Sequence, residues 1–468
     1  MDYLTLSKER IPIVAEYDVF VAGGGCAGVG AGVAAARSGM RTLIAERMFC
    51  LGGTLTGGLM SKIAILNTNH GFGEELLVRL DRLQGSDFLA SRSEVPVDPE
   101  AAKRMLDRMV VEEAGAEVLF GTAVAAVARA GRRIEAVVVN SINGLEAIRA
   151  KYYIDCTGDA QLGFRAGAAC LVGDAADGYS SAPTLMFRVG NVDLERLITE
   201  MEQRPELRES SERNTYSYHR LSPAQNRENI ARDRYAHFAD FVPYLRQKAR
   251  ENPGMFSEWE LSMMLQRGIL FMNQPQGGHV LVNCTRTPYF RGDDKKELTE
   301  ACLSGRRQAE ATFRFMKAFL PGFEGSFLMD TGSMLGVRES RRLVGDYVLT
   351  EEDVETYRKF PDVVVSNQGG VEIHGTRGKG TEIRELRTDD CYHVPYRCVI
   401  ARDFDNLFMA GRCFSADHPA LSAARNISYC MALGQATGNA AAQLIKRGAA
   451  DVREIDIPML QETLRDVI

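Results

Sequence analysis

The side chains able to do chemistry in this sequence fall into four groups. Gly23, Gly25 and Gly28 stand in G-x-G-x-x-G spacing, and Glu46 follows about twenty residues on, where a carboxylate can accept hydrogen bonds from a ribose diol. Histidine is scarce, with seven in the chain, so few imidazoles could move a proton near neutral pH: His418 first, then His374 and His393, with His70 in NTNHGFG set apart. Tyr392 and Tyr396 add phenols that could hydrogen-bond a substrate. Arg338, Arg341 and Arg342 cluster in GVRESRRLVGD, and arginine forks match carboxylates bidentately. Each group also has a plainer reading: a packing turn, buried histidines bonded to backbone, interior tyrosines, and a solvated arginine turn with Glu339 as local partner.

The glycines sit where a strand turns into a helix. Val19, Phe20, Val21 and Ala22 form a buried run of parallel-strand type, a small-residue helix runs to Gly39, and Thr42 to Ala45 make a second strand. In that setting Gly23 permits a tight turn, Gly25 lets backbone approach a pyrophosphate, and Gly28 lets the helix pack on the strand. The helix N-terminus offers free N–H groups to phosphates, so this βαβ opening predicts a bound dinucleotide. A second glycine-rich turn, RMFCLGGTLTGG, carries Arg47, Gly52, Gly53 and Thr54 where a nicotinamide domain would continue with another βα unit. Pro99 to Gly115 predicts an amphipathic helix. Four strands follow, over 117–120, 123–128, 134–140 and 147–153, and then the segment IDCTGDA. The middle of the chain, from about Val192 to Gly254, is polar with helical periodicity. A strand over His279–Cys284, a long helix over Lys296–Leu320, a strand-like stretch from Phe360 to Ile373 and the loop GTRGKG come next. Near the C-terminus Leu407–Ala410 reads as a buried strand, and Ser422–Lys446 as a helix so rich in Ala and Gly that it must pack closely.

With 468 residues the chain has room for about three folding units. Its 56 basic and 62 acidic side chains give a net charge of −6, the wrong sign for coating nucleic acid phosphates. The ten cysteines form no C-x2-C pair, so neither zinc nor iron–sulfur spacing is present and no metal is expected. The opening MDYLTLSKERIPIVAEYDV places charges where a secretory signal needs an apolar stretch, and no apolar run reaches eighteen residues. The expectation is a cytoplasmic protein with no membrane or nucleic-acid partner.

Taken together, several segments resemble the FAD-dependent oxidoreductases of the glutathione-reductase-like two-dinucleotide-binding superfamily, within a largely uncharacterised bacterial branch. The resemblance covers nearly the whole chain. It rests on the fingerprint with its trailing LGG-T turn, IDCTGDA, TGSMLGVRESRRLVGDYVLTEEDV, YHVPYRCVIARDFDNLFMAGRCFSADH and GQATGNAAA. It implies an α/β fold: a Rossmann-like FAD-binding domain with a parallel sheet and an inserted antiparallel β-meander (1–175 and 400–468), plus an inserted α+β substrate-binding or cap domain (176–399), with the active site between them. FAD would be held non-covalently, since the surroundings of His70 match no attachment motif. The contacts implied are Cys26, Ala27 and Arg47 beside the glycines and Glu46, Ala123 and Val124 in the meander, and Thr157, Gly158 and Asp159 on the adenine and pyrophosphate side. Gly411 would meet the ribityl chain, and the terminal helix, carrying Gly434, would aim its N-terminus at the flavin N1/C2 region. Many relatives have an acid after the Ala-Gly pair, whereas this chain has Arg412, which leaves it facing the ribityl chain, the flavin or the substrate. Cys50 has no partner cysteine nearby, unlike the disulfide reductases.

The catalytic candidates are therefore His418, His374, Arg338, Arg412 and Tyr392. The leading function is hydride transfer from a small polar metabolite (hydroxy acid, sugar or amine, with a carboxylate suiting the arginines) to flavin N5, the final electron acceptor being unassigned. An NAD(P)H-reduced reductase or monooxygenase, an RNA-modifying flavoprotein and a non-catalytic flavoprotein subunit stay open, as does homo-oligomerisation.

Overall fold

The structure, a computed structural model, describes residues 10–64, 71–85, 94–212, 221–378, 380–387 and 389–468. The chain enters on β1 (Ile13–Ala22), turns at Gly23 with φ +92° into α1 (Cys26–Arg37), and returns on β2 (Thr42–Ala45). Val19 to Ala22 are fully buried, as expected of a strand covered on both faces. On the other side of β1 runs β3 (Gly144–Asp155), also parallel. The sheet order is Glu117–Leu119, β2, β1, β3, Arg133–Ser141 and Ala123–Ala130, the last two folding back as an antiparallel meander. Leu407–Met409 joins the carboxyl end of β3 in parallel, bringing the late chain to the strand ends where the glycine turn opens. This is the Rossmann-like sheet with its meander.

Two C-terminal helices stand where one long helix is expected: α2 (His418–Ala423) and α3 (Ile427–Arg447), with Asn426 in extended conformation capping the second. The small residues of α1 and α3 serve one purpose. A Cβ on Gly434 would fall 1.9 Å from the Ala27 carbonyl oxygen, and one on Gly438 2.3 Å from that of Ala31. The two helices therefore cross with backbone against backbone, and α1 is clamped between the sheet and α3. The helix expected over Pro99–Gly115 is α-helical through Asp107 and more widely wound over Arg108–Glu113. The stretch from Phe360 divides into two strands, Val363–Asn367 and Val371–His374.

A second, antiparallel sheet is ordered His237–Phe238, Phe271–Asn273, His279–Val282, Phe187–Gly190 and Phe327–Thr331. Its core, with Phe187, Phe238, Phe271 and Phe315, is separate from the first. Residues Leu349–Tyr396, which the sequence assigns to the inserted unit, pack instead into the first core through Val354, Val364, Tyr392 and Tyr396. No helix among the described residues is long and apolar enough to cross a membrane, and no group of three or more His, Cys, Asp or Glu among them could hold a metal ion. All ten cysteines are free.

Candidate cofactor and active site

A cavity of about 310 Å³ opens at the carboxyl ends of β1 and β3. One end is walled by Glu46, Arg47, Ala123 and Val124, the middle by Gly23, Gly25, Cys26, Ala27, Gly53 and Thr54. Thr157, Gly158, Gly411 and Arg412 form the facing wall, and Met334, Arg425, Ile427 and Cys430 the far end. Fourteen of the eighteen cofactor contacts expected from sequence thus share one cavity.

Local chemistry explains the shape. Glu46 is buried, and its carboxylate accepts hydrogen bonds from the Gly24 N–H (2.6 Å) and the Met48 N–H (2.7 Å), fixing the end of β2 against the glycine turn. Each oxygen keeps a further lone pair for a diol. Asp155, at the tip of β3, accepts from the Thr157 N–H (3.0 Å), the Thr157 hydroxyl (2.8 Å) and the Gly163 N–H (2.9 Å), and so shapes the Thr157–Gly158 wall. Burial pushes its pKa up. The Cys26 thiol donates to the Gly52 carbonyl (3.2 Å), tying the two glycine turns together, and burial pushes its pKa up to about 11.

The four expected contacts outside the cavity have structural work instead. Gly28 packs on the turn: a Cβ there would lie 1.8 Å from the Gly23 carbonyl oxygen. Gly52 donates its N–H to the Gly24 carbonyl at 2.9 Å. Asp159 stands behind the wall, 3.6 Å from the Arg412 guanidinium and 3.9 Å from that of Arg47, and accepts from the Ser340 hydroxyl at 2.8 Å. Gly434 lies in the α1–α3 contact.

The residues present fit an extended dinucleotide. Among the described residues no side chain accepts from the N–H groups at the Gly25 cap of α1, and the nearest neighbour for a Cβ on Gly25 is the Gly53 Cα at 4.0 Å. Arg412 reaches over Gly158, and its Nη1 is buried with no hydrogen-bond partner among the described residues. An anion at this point would satisfy both the helix terminus and the guanidinium. The first turn of α3, also without a side-chain cap, contributes Ile427 and Cys430 to the far end.

The catalytic candidates separate. Arg338 is buried, donating to the Ala182 carbonyl (2.5 Å) and the Thr184 hydroxyl (2.8 Å), both neutral acceptors. Burial, and then the nearby charges of Arg286, Arg425 and Arg267, hold its pKa well below the usual arginine value. Arg341 and Arg342 do not join it. Arg341 stacks over Phe164, while Arg342 pairs with Glu339 and donates to the Gly173 carbonyl at 2.8 Å. Glu339, read from sequence as a surface partner, is 2 % exposed. His374 is fully engaged, with Nε2 3.0 Å from the Glu372 carboxylate and Nδ1 3.4 Å from the Thr381 hydroxyl. Tyr392 lies in the first core with its hydroxyl on the Asn367 amide, away from the cavity, because its strand turns that side chain inward. His393 accepts the Phe360 N–H at 3.1 Å, Tyr396 donates to the Val452 carbonyl at 2.6 Å, and His70 lies outside the described residues. His418 is buried with Nδ1 2.7 Å from Glu339. Arg425 and Met334 carried no sequence signal of their own, since the fold brings them to the cavity from distant segments.

The chain matches the family model for FAD dependent oxidoreductases over residues 18–464 and belongs to that family. It is a flavoenzyme with FAD as its cofactor. Thiamine thiazole synthase of Methanococcus aeolicus is 35% identical over 153 residues, 31% of this chain and 55% of that protein. The same enzyme of Methanococcus maripaludis is 30% identical over 155 residues, 31% of this chain and 57% of that one. The chain spans about half the length of the curated relatives it matches. Among solved structures, a geranylgeranyl bacteriochlorophyll reductase-like protein from Thermoplasma acidophilum aligns over 96% of this chain and 83% of its own, at 14% identity and a TM-score of 0.47.

Proposed function

We propose that this oxidoreductase dehydrogenates a small carboxylate-bearing metabolite at the Arg425 end of the cavity. The observation that supports this most is Arg338. It is a buried guanidinium bonded, among the described residues, to neutral acceptors, in a neighbourhood where Arg286, Arg425 and Arg267 add positive charge. The carboxylate within reach, Glu372, is bonded to His374 and is also a counter-charge to Arg425 and Arg338. One carboxylate set against several guanidiniums leaves excess buried positive charge, and an anionic substrate would offset that cost. FAD, when bound, supplies a two-electron acceptor for the hydride leaving the substrate carbon. Around it, Arg412 and the N-terminus of α1 would hold the diphosphate, Glu46 the ribose, and the N-terminus of α3 would stabilise negative charge gathering at the cavity's far end.

The test is an anaerobic panel in which hydroxy acids and amino acids are offered beside their amides or esters and beside neutral sugars, with the visible flavin band as readout. Bleaching confined to free carboxylates is expected. Equal bleaching by neutral sugars or by esters would overturn the substrate class.

A further inference from the structure

His418 opens α2 in a setting that controls both of its ring nitrogens. Nδ1 lies 2.7 Å from Glu339 Oε2, and Glu339 also accepts the Ser181 N–H at 3.0 Å and pairs on its other oxygen with Arg342. All three side chains are buried: His418 is 5% exposed, and Glu339 and Arg342 2% each. Nε2, by contrast, is buried with no hydrogen-bond partner among the described residues. Buried polar atoms are rarely left this way, since an unmade hydrogen bond leaves the cost of desolvating the atom uncompensated. His418 is also within electrostatic reach of Arg425, which lines the cavity, and its neighbour Ser422 on α2 accepts the Glu372 N–H at 3.1 Å. Arg338 and Glu339 hold neighbouring backbone groups, one the Ala182 carbonyl and the other the Ser181 N–H, so Arg338 and the partner of His418 grip one segment.

We propose that His418 Nε2 is the proton acceptor of this site, with Glu339 and Arg342 as positioning residues; the assignment rests on the dehydrogenase reading above. Glu339, an acceptor only, fixes the proton on Nδ1 and leaves the Nε2 lone pair for the substrate O–H or N–H. When that bond breaks, its proton passes to Nε2 and the carbon–heteroatom bond becomes double; bound oxidised FAD would supply the acceptor for the neighbouring C–H hydrogen and its electron pair. Arg342 neutralises Glu339, so the carboxylate orients the ring without charging it. Burial and then the Arg342 charge lower the His418 pKa, against the opposing carboxylates Asp174 and Asp417, while Arg425 adds to the lowering. Asp177, on the same loop as Asp174, also faces His418. The acceptor is therefore neutral and ready at neutral pH.

The holoenzyme labelled with 15N-histidine tests this by nuclear magnetic resonance, with the His418 signals assigned by their loss in His418→Gln or, should that variant not fold, by proximity to Pro419 and Ala420. The expected result is a neutral ring protonated on Nδ1 between about pH 7 and pH 8. In Glu339→Gln the single tautomer should be lost and the titration midpoint should fall, because Arg342 is no longer neutralised, whereas Glu339→Asp restores the tautomer. A ring protonated on Nε2, a ring charged at neutral pH, or signals unchanged in Glu339→Gln would each overturn the proposal. With the carboxylate found in the panel above, His418→Gln should slow flavin bleaching by roughly 10²–10⁴-fold at unchanged flavin content. Normal bleaching would likewise overturn it. Should no carboxylate bleach the flavin while the tautomer is as expected, the substrate class falls and the histidine geometry stands.

Discussion

Two glycines of the same turn should fail in different ways, and the difference measures where the cofactor lies. A methyl group placed on Gly25 meets nothing nearer than the Gly53 Cα at 4.0 Å, and its φ of −69° suits alanine. Gly25→Ala should therefore cost the apoprotein about 1 kcal/mol or less, the ordinary penalty of alanine at a helix N-cap. The same methyl stands in the approach to the N-terminus of α1. Forcing a phosphate group past it carries an overpacking penalty of about 1–3 kcal/mol, or roughly a 5- to 150-fold rise in the FAD Kd. Gly28→Ala is the contrast: its Cβ would lie 1.8 Å from the Gly23 carbonyl oxygen and 2.9 Å from its carbon, so backbone must move. Its stability loss should reach about 3 kcal/mol or more. Titrating deflavinated protein with FAD by fluorescence quenching, beside urea unfolding of each variant, separates the two effects. An unchanged FAD Kd in Gly25→Ala would refute the reasoning, as would equal stability losses in both variants.

Other outcomes follow from the same contacts. Arg412→Met removes the guanidinium with the unpartnered Nη1, so FAD affinity should fall roughly 10- to 100-fold with little change in unfolding midpoint, as a charged hydrogen bond of about 1.5–3 kcal/mol implies. Arg338→Ala should raise the substrate KM at least tenfold while purified protein keeps its flavin, and an unchanged KM would remove Arg338 from the site. Gly434→Val places a branched side chain against the Ala27 carbonyl and should lower the thermal midpoint and the flavin content together. His374 and His418 have pKa values lowered first by burial, so the unfolded chain binds their protons more readily than the folded one. Their stability contribution is complete above the unfolded value near 6.5 and is lost as pH falls from there toward the folded values, which denaturant midpoints measured down to about pH 5 should report.

The βαβ opening was legible because its glycines are constrained by backbone: a carbonyl 1.8 Å from a missing Cβ leaves one residue type, and that restriction is written in the spacing. Glu46 was legible for the same reason, standing at the end of a strand whose start the glycines fix. The catalytic end was less so. Arg338, Arg341 and Arg342 look like one cluster, but Arg341–Leu343 is a strand, in which successive side chains point to opposite faces. Glu339 reads as a surface acid because charged residues in a run normally are, and its burial follows from Arg342 and His418, whose approach only the tertiary fold creates. Tyr392 carried the right functional group on the wrong face of its strand. Arg425 reaches the cavity only because the expected terminal helix breaks into α2 and α3 just around it.

The measurement that bears most directly on the central claim is an anaerobic visible-absorbance titration of the flavin-loaded enzyme, first with NADH and NADPH and then with the carboxylate panel. If the protein dehydrogenates a metabolite directly, the flavin band stays oxidised through both nicotinamides and bleaches promptly with a free carboxylate. Prompt bleaching by NADH or NADPH, with the carboxylates inert, would contradict the account and make the enzyme a reductase or monooxygenase.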